Sequence, residues 1–266
     1  MKNPIEFNSP SSTNTSTCAS PWSNPRISNY KNLILEPEFE SRRFKFPLGA
    51  TWLRIVPALR GSNKDWMLGI HSLKYEKGCH VHPKTITLGA RSVFDHAYTW
   101  LLKNQSDALY SKANKEGYRL LTDPVCLFWI LVEENGKPVA RLLVANGYDG
   151  SRGGSPAIGH QIWQLSKEVD EDGKLLGEPA DPIKGVQICV EKRQTAGSRY
   201  PSYTVKRGRV TVPIQDMLGK MDMAEVAALT PLEKVIHLPS EEEEWKLLEN
   251  VIPADTISEI RSSINH

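Results

Sequence analysis

Asn135-Gly136 lies between two apolar runs, 125–132 (VCLFWILV) and 138–145 (PVARLLVA), and no other feature constrains this chain so tightly. An Asn-Gly pair readily takes the positive φ values of a two-residue reverse turn. The runs on either side are then driven into antiparallel pairing. A lone hairpin is marginal in water, so more strands must cover it.

The sequence offers them. Residues 51–56 (TWLRIV) alternate, with Leu53 and Ile55 on one face and Trp52 and Arg54 on the other, before Pro57 breaks the pattern. Residues 66–75 (WMLGIHSLKY) read as another strand, with Gly69 at a bulge or bend. Segments 186–193 and 199–206 form a second candidate hairpin around Gly197. The period changes at 92–103, where Val93, Phe94, Ala97, Trp100 and Leu101 fall at helical spacing behind a Ser92 N-cap. A second, polar helix is expected over 106–116, ended by Gly117, and His160–Leu165 forms a short segment. Short strands interrupted by one helix point to a mainly β fold, an OB-like β-barrel with an inserted helical element.

Flanking segments differ from this body. Residues 1–43 begin with a Ser/Thr/Asn/Pro-rich stretch and read as a disordered arm, with order expected near Phe44. The barrel domain is expected over 44–220. Residues 221–266 read as an acidic, partly helical tail. Glu241–Glu244 opens one helix there, and Ile257, Ile260 and Ile264 form a stripe on another.

Charge follows the same division. The whole chain carries a formal +2, yet 42–220 hold 27 Lys/Arg against 17 Asp/Glu, while 221–266 hold three against ten. A basic body with an acidic end is one pattern of nucleic-acid-binding proteins; chance clustering of surface charge gives the same numbers. With 39% hydrophobic residues the chain can bury one sizeable core or two small ones. No apolar run is long enough to span a bilayer and no leader is visible. Cys18, Cys79, Cys126 and Cys189 are scattered without a CxxC, so a reducing cytoplasm is expected.

Catalytic signatures are missing. The sequence contains no GxSxG or HExxH, and the Gly-rich loop at 149–154 has no Gly-Lys-Ser/Thr after it. Asp95 and His96 are helix neighbours that point in different directions. The expectation is a binding protein and not an enzyme.

The order of several blocks is similar to that in one family. GATWLRIVP (49–57), the strand ending at Tyr75, HVHPKTITLG (80–89), the hairpin starting near Cys126 and VKRGRVTVP (205–213) resemble the helix-destabilising, single-stranded DNA-binding proteins of T-even phages. The resemblance covers about residues 44–215. It implies an OB barrel that holds single-stranded DNA in a positively charged cleft during replication, recombination or repair. It also implies self-association along the strand, and an acidic tail that competes with DNA or recruits replication and recombination proteins. Family members often carry an inserted zinc element. Here Cys79, His80, His82 and His96 are the only candidate ligands at the aligned positions, with His71 nearby, and the expectation is a knuckle packed without metal.

Sequence-tolerant binding needs cations for phosphates and ring faces for bases. Residues 184–209 offer Lys192, Arg193, Arg199, Lys206, Arg207 and Arg209 with Tyr200 and Tyr203 among them. Tyr203 could equally be core and the charges a solvated rim. Trp52 and Arg54 are the further candidates on the first strand, unless Trp52 is buried under the helix at 92–103. Trp66, Lys74, Tyr75, Arg141 and Arg152 complete the expected interface; Arg141 emerges into the groove or pairs with Glu133. Trp129 reads as core. A non-catalytic adaptor that holds protein partners through barrel and tail is the alternative reading.

Overall fold

The structure, a computed structural model, describes residues 31–59, 66–75, 78–104, 122–151, 155–194, 196–198 and 200–264. Arg152, Arg199, the polar helix expected at 106–116 and the arm up to residue 30 lie outside them.

The hairpin forms as its turn demands. β5 (Thr122–Glu134) and β6 (Lys137–Asn146) pair from Val125↔Asn146 to Glu134↔Lys137. Asn135 and Gly136 sit at φ 52° and 78°. The other edge of β5 is shared. β3 (Leu68–Tyr75) takes its first half and β2 (Gly49–Ile55) its second. β2 also pairs antiparallel with β7 (Val186–Arg193), which pairs with β8 (Ser202–Thr211). On the far side β3 pairs with β4 (Gly78–Val81), and β4 runs parallel to β1 (Lys31–Leu33). The result is an eight-stranded mixed sheet, and the protein is mainly β.

Strand pairing does not close this sheet into the barrel expected from sequence. Among the described residues no ladder joins β6 to β8. α3 (Ile158–Gln164) stands beside β8 instead, after the short helices α1 (Pro37–Glu40) and α2 (Val93–Asn104) earlier in the chain. The Gln161 amide donates to the Tyr203 carbonyl at 3.2 Å and accepts from the Val205 N–H at 3.0 Å. A side-chain amide thus satisfies edge groups that a closing strand would have taken.

Both faces of β5 are buried, which is why its sequence is an unbroken apolar run. Phe128, Ile130 and Val132 meet Leu53, Ile55, Ile188 and Ile162. Leu127, Trp129 and Leu131 meet Leu35, Met221, Leu232, Val235 and Ile236. The Trp129 indole donates to the Thr230 carbonyl at 2.7 Å.

Two boundaries therefore differ from expectation. Residues 31–43 are not an arm: β1 joins the sheet, and Ile34 and Leu35 are buried. Residues 221–266 form the expected helices but pack into the fold instead of standing off as a tail. α4 (Ile214–Leu218) and α5 (Met223–Ala227) lie against the β5 face, while α6 (Glu241–Glu249) and α7 (Ala254–Ile264) pack on α2. Trp245, Leu248, Ile257 and Ile260 share a cluster with Phe94, Ala97 and Leu101. Each fully buried aliphatic of this kind is worth about 1.5–3 kcal/mol, so the segment is part of the folded unit.

The start of α2 binds that segment down. Ser92 caps the helix, accepting from the Phe94 N–H at 3.1 Å, and its own N–H donates to Asp95 at 2.9 Å. Glu244 enters from α6. It accepts from the Ser92 hydroxyl at 2.6 Å, the Val93 N–H at 2.9 Å and the buried His80 ring at 3.1 Å. A carboxylate at a helix N-terminus meets unpaired donors and the positive end of the dipole. No helix among the described residues is long and apolar enough to cross a membrane.

Candidate nucleic-acid interface

β2, β7 and β8 present one outer face. Residues directly opposite in a ladder share a side, so the register Trp52↔Cys189↔Lys206 sets these three in a row across the strands. Trp52 is 52% exposed. Its indole reaches over the sheet to Gly208, where a Cβ would stand 3.4 Å from the ring and 2.5 Å from the Gln187 carbonyl. Lys206 and Arg209 are exposed and have no ion-pair or hydrogen-bond partner among the described residues. Arg193, on the same side of β7, is exposed and pairs with Glu191 at 2.7 Å. Tyr200, 68% exposed, stands in the turn before β8.

The other expected contacts are elsewhere, each for a physical reason. Arg54 shares the face of Trp52, yet it is fully buried under 179–185. Its guanidinium donates to Val212 O at 2.9 Å, to Ile55 O and Pro179 O at 2.7 Å, and to Asp181 O. Burial lowers its pKa to about 10 against the pull of the Asp181 charge. Gly185 is required there, since a Cβ would overlap the guanidinium. Arg207 is likewise a clamp. It donates to Glu168 at 2.8 Å, to Gly177 O at 2.8 Å and to Leu165 O, tying β8 to the loop after α3.

Trp66 is 5% exposed and stacks on Phe128 at 5.9 Å. Tyr75 is buried between His80 and Phe94, and burial raises its phenol pKa. Neither offers a face to a base. Tyr203 is half-buried with its ring edge on Phe46 at 6.1 Å, and burial again pushes the phenol up. Lys192 donates to Phe46 O at 2.8 Å, and Lys74 pairs with Asp123 at 2.9 Å. Arg141 is bidentate on Glu134, at 2.9 and 2.5 Å, and not on Glu133. Of the residues expected at the interface, Trp52, Arg193, Tyr200, Lys206 and Arg209 are exposed on or beside β2, β7 and β8, and the rest of the described ones are buried or engaged elsewhere.

The four candidate metal ligands do not converge. His80 Nε2 is engaged by Glu244 and His82 Nε2 by Asp95 at 2.7 Å. His82 Nδ1 accepts from the Lys84 N–H at 3.0 Å, so the proton on that ring sits on Nε2. Cys79 belongs to the core beneath β5. No group of three or more His, Cys, Asp or Glu able to hold a metal ion occurs among the described residues. These side chains do not fit the zinc element that the resemblance implies.

A second concavity was missed by sequence reasoning. A cleft of about 640 Å³ opens where Met67, just before β3, and the start of β5 face the end of β6, the loop after it and α3. Tyr148, His160 and Trp163 line it, with the His160 and Trp163 rings 5.3 Å apart. The signal was present as two rings at i, i+3 spacing on the segment after the Gly-rich loop.

No model of a known protein family matches this chain, and no curated protein matches it.

Proposed function

We propose that this protein binds single-stranded DNA with little sequence preference, supporting replication, recombination or repair, and that it works by binding and not by catalysis. The observation that carries the reading is the Trp52–Cys189–Lys206 row. An indole held half-exposed on a strand is a stacking platform, and the cations of Lys206 and Arg209, unpaired among the described residues, can neutralise phosphates. The half-exposed Trp52 indole supplies the ring face that sequence-tolerant single-strand binding uses.

The connectivity supports an OB-type reading in open form. β2, β5 and β6 form a meander, α3 follows, β7 and β8 form a hairpin, and β2 pairs with both β5 and β7. An OB-fold is a five-stranded, partly open Greek-key barrel whose loops embrace oligonucleotides. On this reading α3 occupies the gap in the wall, and 56–121 is an insertion between the first two strands. The turn carrying Tyr200 lies between the last two, a position OB-folds use for binding. The family resemblance of the blocks at 49–57 and 205–213 points the same way.

Titration with single-stranded oligonucleotides tests the proposal. Tryptophan fluorescence should be quenched, and affinity should fall steeply with salt. Absence of binding at low salt eliminates it. The adaptor reading is separated by charge reversal at Lys206 and Arg209, which it predicts to leave partner binding intact.

A further inference from the structure

We propose that the cleft beside α3 is a pocket for a nucleobase bearing an exocyclic amino group, namely adenine, cytosine or guanine. The proposal rests on the nucleic-acid reading above and adds a base preference to it.

The cleft is pre-formed. At about 640 Å³ it falls within the range of small-molecule sites. Its back wall is fixed by two close approaches to Cys126. A Cβ on Gly147 would stand 3.1 Å from the Cys126 sulfur. One on Gly159 would stand 3.0 Å from Cys126 Cβ and 2.7 Å from the Asn146 carbonyl. Burial pushes the Cys126 thiol up to about 11, so this wall is neutral and apolar at physiological pH. Met67 adds to it.

The ring faces come from α3 and the loop before it. Trp163 is 37% exposed, and His160 and Tyr148 line the same cleft. A planar group entering here meets aromatic surface from these rings and apolar surface from Met67 and Cys126.

Polar chemistry selects among planar groups. Among the described residues, the carboxylates lining the cleft are those of Asp123 and Asp149, with His160 beside them. Hydrogen bonds from the Ser151 hydroxyl and N–H hold the Asp149 carboxyl below the ordinary carboxylate range, aided by the nearby His160, so it is an ionised acceptor. An anionic group is repelled from the interior. An exocyclic amine is drawn in, whereas thymine and uracil set carbonyls against carboxylates.

Cations stand just outside. Lys167 lies 5.6 Å from the Trp163 ring centre, Lys84 donates to Thr122 at 3.1 Å, and Lys74 pairs with Asp123 at 2.9 Å. Thr122, Asp123 and Trp163 are all lining residues. Carboxylates along the lining and ammonium groups in contact with lining residues match a base held by the cleft with its phosphates toward the lysines.

Calorimetric titration of the full chain with deoxycytidine and thymidine, beside tryptophan quenching by oligo(dC) and oligo(dT), decides it. Deoxycytidine should bind about fivefold or more tighter than thymidine. Trp163→Ala should weaken deoxycytidine about tenfold. Asp149→Asn, at a fully exposed position, should remove the preference. Equal affinity for the two nucleosides, or an unchanged affinity in Trp163→Ala, overturns the pocket. If oligonucleotides bind and neither nucleoside does, the pocket falls and the strand-binding reading stands. If deoxycytidine binds as expected and no oligonucleotide does, the strand-binding reading falls and the pocket stands.

Discussion

The Trp52 indole extends from β2 over β7 to Gly208 on β8, two residues beyond Lys206 in the row Trp52–Cys189–Lys206. The ring lies along the sheet because Gly208 has no side chain. Gly208→Val should therefore lift the ring and crowd the Gln187 carbonyl, destabilising the fold by about 1–3 kcal/mol. Oligonucleotide affinity should drop with it. Chemical denaturation and fluorescence titration of the same variant check both.

Lys206 and Arg207 are neighbours in sequence on opposite faces of β8, and should behave as opposites. Lys206→Glu should change stability by no more than about 0.5 kcal/mol while weakening oligonucleotide binding. It should also reduce the magnitude of the slope of log affinity against log salt by about 1 or more. Arg207→Ala removes three hydrogen bonds, one of them to Glu168, and should cost about 2–4 kcal/mol of stability. Urea melts paired with salt-dependent titrations separate the two.

The C-terminal segment should act as core. Glu244→Ala strips the carboxylate from the start of α2 and leaves Ser92, Val93 and His80 without their acceptor. A loss of about 3–5 kcal/mol is expected. Amide exchange in α2, α6 and α7 should accelerate together. Removing 221–266 should unfold the protein, because Leu232, Val235 and Ile236 line the β5 face. A flexible acidic tail would instead leave stability untouched on removal and tighten DNA binding. Circular dichroism of the truncated chain distinguishes the two.

Acid should loosen the turn that leads into α2. Burial works against ionisation of Asp95, but hydrogen bonds from His82 and Ser92 outweigh it and hold its carboxyl below 3.8. A depressed carboxylate contributes stability that is complete above its unfolded value and is lost as pH falls through the folded one. Asp95→Asn should thus lower the melting temperature at pH 7 and flatten its fall below about pH 4. Thermal melts across that range provide the check.

Local signals carried much of this fold. Alternation placed β2, the run 66–75 was read as the strand that contains β3, Asn135-Gly136 fixed the β5–β6 register, and Ser92 marked the start of α2. Strand parity also put Trp52 and Arg54 on one face correctly. It could not say that 179–185 covers the Arg54 end of that face while the Trp52 end stays open, because burial there comes from a segment more than a hundred residues away. Arg207 was misplaced for the same reason, its carbonyl partners lying in the loop after α3. The Ile257/Ile260 stripe of the last helix was legible, but a stripe does not name the surface it packs on, and its partners Phe94, Ala97 and Leu101 lie more than a hundred residues earlier. Rings at His160 and Trp163 were not recognised because a seven-residue helix gives little periodicity to read.

The central claim is that the Trp52 face holds a single strand. Its most direct test is titration of tryptophan fluorescence with an unlabelled single-stranded oligonucleotide at low and moderate salt, in the native chain and in Trp52→Ala. Quenching that weakens steeply with salt, together with an affinity loss of about 5- to 150-fold in Trp52→Ala, is the predicted result. Binding unaltered by the substitution, or none at low salt, would contradict the account.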